Sequence, residues 1–362
     1  MDNRGDNRTN TVPIFFIMGR PRSGTTLLRT LFDAHPNVRI PPEFPIFLFI
    51  YQKFRKVKTW DKKTILSFVD HVYANNRFNN RTLDNLKIDK EAFIADLLTL
   101  ENKGTIQDFL KKINEHAFSL FPKQEILQIG DKNPVYSFFT KRFIRMFPDA
   151  RFICILRDYR DNYLSMQKLA DLKLEAPIIS LQVARWRFMA NLFLKCRKKY
   201  PDRFHIVLYE DLVTNQERVI QQLCKFIGIS YDESVFDFFK KTDESLKIYP
   251  RELAEKFHKS LMSPVNTSRM NLWKDQLTEK EVKLADTVAG KYADILGYER
   301  REKRFNLFYY LRSRPMVIYG YLLWKIMILG SYLPYQMSRW FSLNLLILVR
   351  THHYFFGKKA NP

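Results

Sequence analysis

The sequence predicts an α/β fold: a parallel sheet flanked by helices, with a helical cap inserted after the first unit and an amphipathic helical tail at the C-terminus. Three observations predict it. Short strand-like runs at 14–18, 127–131, 151–156 and 204–209 alternate with segments long enough for helices, as in a parallel sheet with right-handed crossovers. A loop with two spaced glycines joins the first run to the first helix. After Gly297 the composition changes abruptly.

Residues 14–18, IFFIM, have the length and apolar continuity of a buried strand. Gly19 and Gly24 follow with four residues between them, the spacing of a phosphate-binding P-loop, and Thr26 holds the hydroxyl position after them. The lysine of that pattern is replaced by Thr25, and Arg22 carries the charge from inside the loop. The N–H groups of residues 23–27 open a helix whose dipole favours an anion, and Ser23, Thr25 and Thr26 add hydroxyls. The fold is therefore P-loop-like, but the loop suits a phosphate-like anion better than the γ-phosphate and metal of an NTPase. A plain strand–turn–helix with capping hydroxyls is the alternative.

Pro41 and Pro42 enforce an extended segment before Glu43. Residues 44–121 are mostly helical in pattern, with aromatic and basic residues mixed, and read as a cap over the sheet edge. The run at 127–131 leads into Lys132, a helix ends near residue 147, and the run at 151–156 leads into Arg157. Helices follow from 158 to about 169 and from 181 to 200. The run at 204–209 brings Tyr209 before a helix over 210–229. Gly19, Lys132, Arg157 and Tyr209 all fall at the carboxyl ends of strands, where ligands collect in such sheets. Ser165 lies eight residues after Arg157, a little over two helical turns, roughly on the same face. An arginine at a strand end with a helix hydroxyl can hold a second phosphate; taken alone, a structural ion pair is an equal reading. Arg160 and Asp161 read as solvated helix pairs, and His35, at a helix end before Pro36, as structural.

Together the two anion sites resemble those of the sulfotransferases that use 3′-phosphoadenylyl sulfate (PAPS), over roughly residues 13–297. The branch that includes the tyrosylprotein sulfotransferases and many bacterial relatives is the most similar, through PRSGTTLLRTLFDAHPNVRIPPE, GDKNP, LYEDL and SPVNTSRMNLWKDQL. The resemblance implies a sulfotransferase domain over 11–300 with its acceptor cap at 44–125, and PAPS as donor without a metal. It implies that residues 21–26, including Arg22, Ser23, Gly24, Thr25 and Thr26, grip the 5′-phosphosulfate, and that Arg157 and Ser165 grip the 3′-phosphate. Glu43 falls on the catalytic glutamate, Lys132 on the catalytic lysine and Tyr209 on a cofactor-contacting tyrosine, with Arg22 sharing the catalytic charge. Residues 263–277, with Arg269, Trp273 and Lys274, fall on the loop that closes over the nucleotide. Without the resemblance, Glu43 reads as a surface carboxylate, Lys132 as an ordinary strand-end lysine, and Trp273 and Tyr209 as core aromatics. The chain departs from the branch at Pro42-Glu43-Phe44, where an acidic pair is the pattern, and at Leu272, where a lysine is the pattern. Ser260 is the candidate for a catalytic serine.

Sixty basic against 38 acidic residues leave a net charge of +22, which implies an anionic partner. No nucleic-acid module signature accompanies it, so nucleic acid is not the expected partner. Three widely spaced cysteines, Cys154, Cys196 and Cys224, fit a reducing compartment and lack metal-ligand spacing. The N-terminal MDNRGDNRTN has no apolar core, which predicts no secretory signal or N-terminal anchor, unlike the Golgi enzymes of the branch. The expected location is cytoplasmic, and the Asn-x-Ser/Thr triplets at Asn7, Asn80 and Asn266 then read as chance.

The tail, 301–362, carries ten Lys/Arg and one acid, Glu302, around two apolar runs at 316–333 and 340–349. Lys325 interrupts the first run and the second is too short to span a bilayer, so the pattern predicts helices lying on the inner face of an anionic membrane. Packing on the domain or a homodimer face is the other reading. A membrane-facing tail beside an aromatic cap favours a small-molecule or lipid acceptor, such as a sterol or lipid alcohol, over a glycan or a protein tyrosine. Two readings from other classes are a P-loop nucleotide kinase, which needs a lysine after Gly24, and a non-catalytic nucleotide-binding membrane protein.

Overall fold

A computed structural model of the chain describes residues 11–74, 77–78, 81–82, 86–170, 175–241, 263–338 and 340. In chain order the strands are β1 (Ile14–Gly19), β2 (Val38–Arg39), β3 (Arg77–Phe78), β4 (Arg81–Thr82), β5 (Gln128–Lys132), β6 (Arg151–Leu156) and β7 (Phe204–Leu208). Among the described residues β3 and β4 form a small antiparallel pair, and the other five form a parallel sheet in the order β2-β5-β1-β6-β7. β1 lies in the middle, so the chain moves to one side of it through β2 and β5 and to the other through β6 and β7. The carboxyl end of β1 is the point where the order reverses, which is where such sheets bind ligands.

Successive side chains of β1 point to opposite faces, and both faces are apolar. Ile14, Phe16 and Met18 belong to the larger core, while Phe15 and Ile17 belong to a second core under helix α1 (Thr25–Ala34). Phe16 is the hub of the larger core. The rings of Phe143, Phe147 and Phe152 lie 5.0, 5.2 and 5.5 Å from it, and those of Phe47 and Tyr136 both 6.4 Å.

The cap contributes α2 (Ile46–Phe54), α3 (Lys62–Ala74), α4 (Lys90–Leu98) and α5 (Ile106–His116). Its helix starts are written in the sequence. Asp89 accepts the N–H groups of Glu91 and Ala92, and Thr105 with Asp108 forms a capping box. Trp60 stacks on Phe109 with centroids 4.0 Å apart, fixing the cap interior. Beyond the cap come α6 (Thr140–Met146), α7 (Tyr159–Ala170), α8 (Ile179–Lys199), α9 (Tyr209–Thr214), α10 (Gln216–Ile227), α11 (Trp273–Gln276), α12 (Glu279–Ala289), α13 (Lys291–Ile295) and α14 (Leu307–Gly330).

Several expectations change in detail. Lys132 lies inside β5, not after it, and the two-residue β2 adds an edge strand that no apolar run announced. The helix expected over 210–229 is broken at Asn215, which leaves helical geometry between α9 and α10. One side of the tail helix α14 packs on α8 and α12, and its outward side exposes large apolar residues with Arg312 and Lys325 among them, not the mainly polar face of an amphipathic helix. The second tail run beyond Trp340, Asn7, Asn80 and Ser260 lie outside the described residues. The three cysteines are buried and free.

Phe16→Ala should cost about 3–5 kcal/mol of stability, because five neighbouring rings lose their shared partner and cannot collapse around the space. Urea unfolding measures this; a loss below about 1 kcal/mol would show that the hub is not there.

Candidate active site

The loop after β1 is held by contacts that only its fold can supply. The N–H of Gly19 donates to Ser137 Oγ at 2.8 Å, and that hydroxyl donates back to Gly19 O at 3.1 Å. Arg20 is buried and donates to Gln182 O and, at 2.7 Å, to Gln182 Oε1; burial pulls its guanidinium down to about 9. Arg22 and Gly24 both have positive φ, +67° and +93°. A Cβ on Gly24 would meet Tyr209 Cδ2 at 2.6 Å, so glycine is required by both conformation and space. The loop thus curls and delivers the first amides of α1, which have no intrahelical acceptor.

Three guanidinium groups gather beside this helix start. Arg22 Nε donates to Ser165 Oγ at 3.0 Å. Arg157, at the end of β6, donates to the carbonyls of Arg22, at 3.2 Å, and of Arg269, and its guanidinium lies 4.8 Å from the Tyr209 ring centre. Burial, then the charges of Arg269 and Arg157, pull Arg22 down to about 10. Arg157 Nε is buried and has no hydrogen-bond partner among the described residues. An unpaired N–H inside a cluster of cations is suited to an anionic oxygen.

The third part reaches the loop from the other side of β1. Asp33 accepts the N–H of Ile40 at 3.0 Å, and Arg29 donates to Ile40 O at 3.0 Å, which fastens the extended segment that leads to Glu43. The side chain of Lys132 is fully buried. Its Nζ donates to Glu43 and, at 3.1 Å, to Thr26 Oγ1. Glu43 keeps 16% of its side chain exposed, so one carboxylate is both tied to the anion loop and open to a second reactant.

A family model described as the sulfotransferase family matches residues 13–233, more than half of the chain. The chain belongs to the sulfotransferase family. A protein-tyrosine sulfotransferase of Drosophila melanogaster is 24% identical over 294 residues, covering 80% of this sulfotransferase and 52% of the relative. A putative protein-tyrosine sulfotransferase of Caenorhabditis briggsae is 22% identical over 302 residues, covering 80% and 91%. The chain thus spans about half the length of the first relative and most of the second. The sulfotransferase domain of the Synechococcus PCC 7002 olefin synthase has 20% identity and a TM-score of 0.49, covering 78% of this chain and 96% of that domain.

PAPS is the donor in this family. The residues of this sulfotransferase fit a ligand with two separate anionic groups, because the amides of α1 and the orphaned Arg157 Nε are distinct donor sets on two neighbouring strands. Among the described residues no group of three or more His, Cys, Asp or Glu side chains is placed to hold a metal ion.

Of the residues singled out in the sequence, Arg22, Thr26, Glu43 and Lys132 form one group and Arg22, Arg157, Ser165, Tyr209 and Arg269 another, sharing Arg22. Ser23 and Thr25 are buried in the loop. Lys274 is exposed and makes no side-chain hydrogen bond or ion pair among the described residues. Trp273 is packed as a core residue, with the Arg160 guanidinium 3.5 Å from its ring centre. His35 is buried between Ser230 O and the N–H of Asn37, the structural place expected for it.

Arg160 and Asp161 are not solvated. Both are 2% exposed, because α7 turns this side toward the 263–277 loop. Asp161 accepts the N–H groups of Asn271 at 2.7 Å and Trp273 at 3.0 Å, and Arg160 pairs with Asp158. Asn162, which the sequence reading passed over, donates to Pro21 O at 3.0 Å and Ser23 Oγ at 3.1 Å. Nothing in its own neighbourhood announces this, since both partners lie in the loop after β1.

Glu210 is a further, half-buried acid behind the arginines. It accepts from the N–H of Asp158 and the hydroxyl of Tyr298, both at 2.9 Å, and burial holds its carboxyl up at about 6 against an ordinary 4.5. A raised value means that the protonated acid stabilises the fold below pH 4.5 and that this contribution is lost as pH rises through about 6. Glu210→Gln keeps an acceptor and removes the titration. The stability of the parent relative to this variant should therefore fall by up to about 2 kcal/mol over that window and level off above it. Urea titrations of both proteins at several pH values measure the difference; a flat difference would count against it.

Proposed function

We propose that this chain transfers a sulfuryl group from PAPS to an acceptor hydroxyl, with Glu43 as the general base. The observation that carries the reading is the chain of contacts Glu43–Lys132–Thr26, which links an accessible carboxylate to the phosphate-type loop through a buried ammonium. Bound PAPS would supply an electrophilic sulfur carried on a phosphate leaving group. Glu43 accepts the acceptor's proton as its oxygen becomes a nucleophile. Lys132 and Arg22 hold positive charge beside the base, where negative charge grows on the transferred group and on the leaving phosphate. Because Lys132 is buried and Arg22 is half-buried and hydrogen-bonded to Ser165, both are oriented in advance and need little reorganisation during the reaction. Residues 21–26 would hold the 5′ side of the donor, and Arg157, Ser165, Arg269 and Tyr209 its 3′-phosphate.

For the acceptor we propose a tyrosine phenol. Relatives that cover 80% of the chain carry the name protein-tyrosine sulfotransferase. A phenol ionises near pH 10, far more readily than an aliphatic alcohol, which suits a carboxylate base. The net charge of +22 would draw an acidic segment toward the site. Pro42-Glu43-Phe44 stands where the branch pattern has an acidic pair, so peptide preference is expected to differ from that of the named relatives. A lipophilic alcohol is the second reading, supported by the exposed apolar side of α14.

Glu43→Gln should lower turnover by about 100-fold or more while the affinity for adenosine 3′,5′-bisphosphate stays within about twofold. Arg157→Ala should weaken that affinity by about 10- to 100-fold. Single-turnover kinetics and calorimetry separate the two, and intact turnover in both variants would remove the site assignment.

Purified protein with PAPS and a panel of tyrosine peptides, sterols and soluble sugars, read by mass spectrometry, tests the acceptor. Sulfated acidic peptides are the expected product. Sulfation of sterol alone would replace the tyrosine reading with the lipid one, and no product from any acceptor, with donor bound, would remove the transferase reading.

A further inference from the structure

We infer that α14 is a dock for an anionic lipid surface. One side of the helix is spent on the domain. Gly320 lies so close to α8 that a Cβ there would be 2.9 Å from Leu181 Cδ1. Trp324 packs on Phe188 and Phe138, with ring centres 5.4 and 6.1 Å apart. The outward side is mainly apolar, with the exposed Arg312 and Lys325 beside the apolar residues. Phe308, Leu311, Ile318, Leu322 and Leu329 are 63%, 59%, 55%, 51% and 65% exposed. Their three- and four-residue spacings, doubled across Pro315 and Lys325, set them along one face of the helix. Tyr332, Met337 and Trp340 carry exposed apolar surface past the helix end. A face of this length left to water is a site of association.

Charge decides the occupant. From residue 303 to 362 the chain has nine Lys or Arg and no Asp or Glu. A two-fold interface with a second copy would set Arg312 and Lys325 of each chain against the same helix of the other, with no carboxylate on either. An anionic bilayer offers the opposite charge to those cations and an acyl boundary to the leucines, and Trp and Tyr suit the headgroup level. Among the described residues no helix is long and apolar enough to cross a membrane, so the contact lies along the surface. Phe138, which touches this helix through Trp324, belongs to the short 3-10 helix Pro134–Phe139 that follows Lys132. The lipid-facing helix is thus one layer from the Lys132–Glu43 pair.

Flotation of the full chain with vesicles of phosphatidylcholine, alone or mixed with phosphatidylserine, tests the inference. Binding should need phosphatidylserine and should weaken steeply between about 50 and 200 mM salt. Arg312→Glu with Lys325→Glu should weaken it about 30-fold or more. Ile318→Glu with Leu322→Glu should weaken it at least about tenfold. All four residues are wholly or partly exposed, so an unchanged melting temperature in each double variant separates lost docking from lost folding. Three outcomes overturn the proposal: no flotation by the parent; flotation unchanged in Ile318→Glu with Leu322→Glu, which would place the contact elsewhere; or a dimer in light scattering that this pair abolishes, which would make the face a self-interface.

Discussion

The structure depends on tolerating concentrated positive charge at the carboxyl end of β1. Arg22, Arg157 and Arg269 stand within electrostatic reach of one another, with the buried Lys132 on the opposite side of the loop. Such a cluster repels itself, and burial worsens the repulsion. The surrounding residues offset it in small steps. Carbonyls of Arg22 and Arg269 accept from Arg157, a hydroxyl accepts from Arg22, and Glu43 accepts from Lys132. Asp161 works one step removed, fastening the backbone that carries Arg269. A doubly anionic ligand completes this arrangement because the protein alone leaves part of it unneutralised, as the orphaned Arg157 Nε makes visible.

Local features of the chain were legible in the sequence. The two loop glycines and the four principal strands each depend on residues a few positions apart, and each is close to where pattern and spacing place it; the cap was read only as mostly helical. Family resemblance assigned Glu43 and Lys132 to the site one by one, but not their contact, since neither residue is unusual in its own neighbourhood. Ser137, Asn162 and Glu210 were missed for the opposite reason: their roles exist only after distant segments meet. Arg160 and Asp161 were misread because a charged pair on a helix is usually solvated, and here the 263–277 loop covers it. β2 escaped notice because two residues at a sheet edge carry no periodicity.

The same reasoning separates what donor and acceptor demand. The donor side is specified by backbone geometry and fixed charge, which vary little in what they can bind. In the function proposed here, the acceptor side is formed by the cap and by the segment around Glu43, where Pro42 and Phe44 stand. That part of the molecule is assembled from aromatic packing, such as Trp60 on Phe109, which can be reshaped without disturbing the loop. A fold arranged this way can keep one donor while its acceptors diverge.

The order of strands has a consequence for how the molecule comes into being. Ile14 pairs with Ile129 and Phe15 with Arg151, so β1 has no partner until the whole cap and β5 have been synthesised, and no second one until β6 follows. Closing so long a loop is slow, and an unpaired apolar strand is exposed meanwhile. On the ribosome, the helices of the cap can form first and leave β1 waiting. The anion loop therefore takes shape only after segments far along the chain have joined β1.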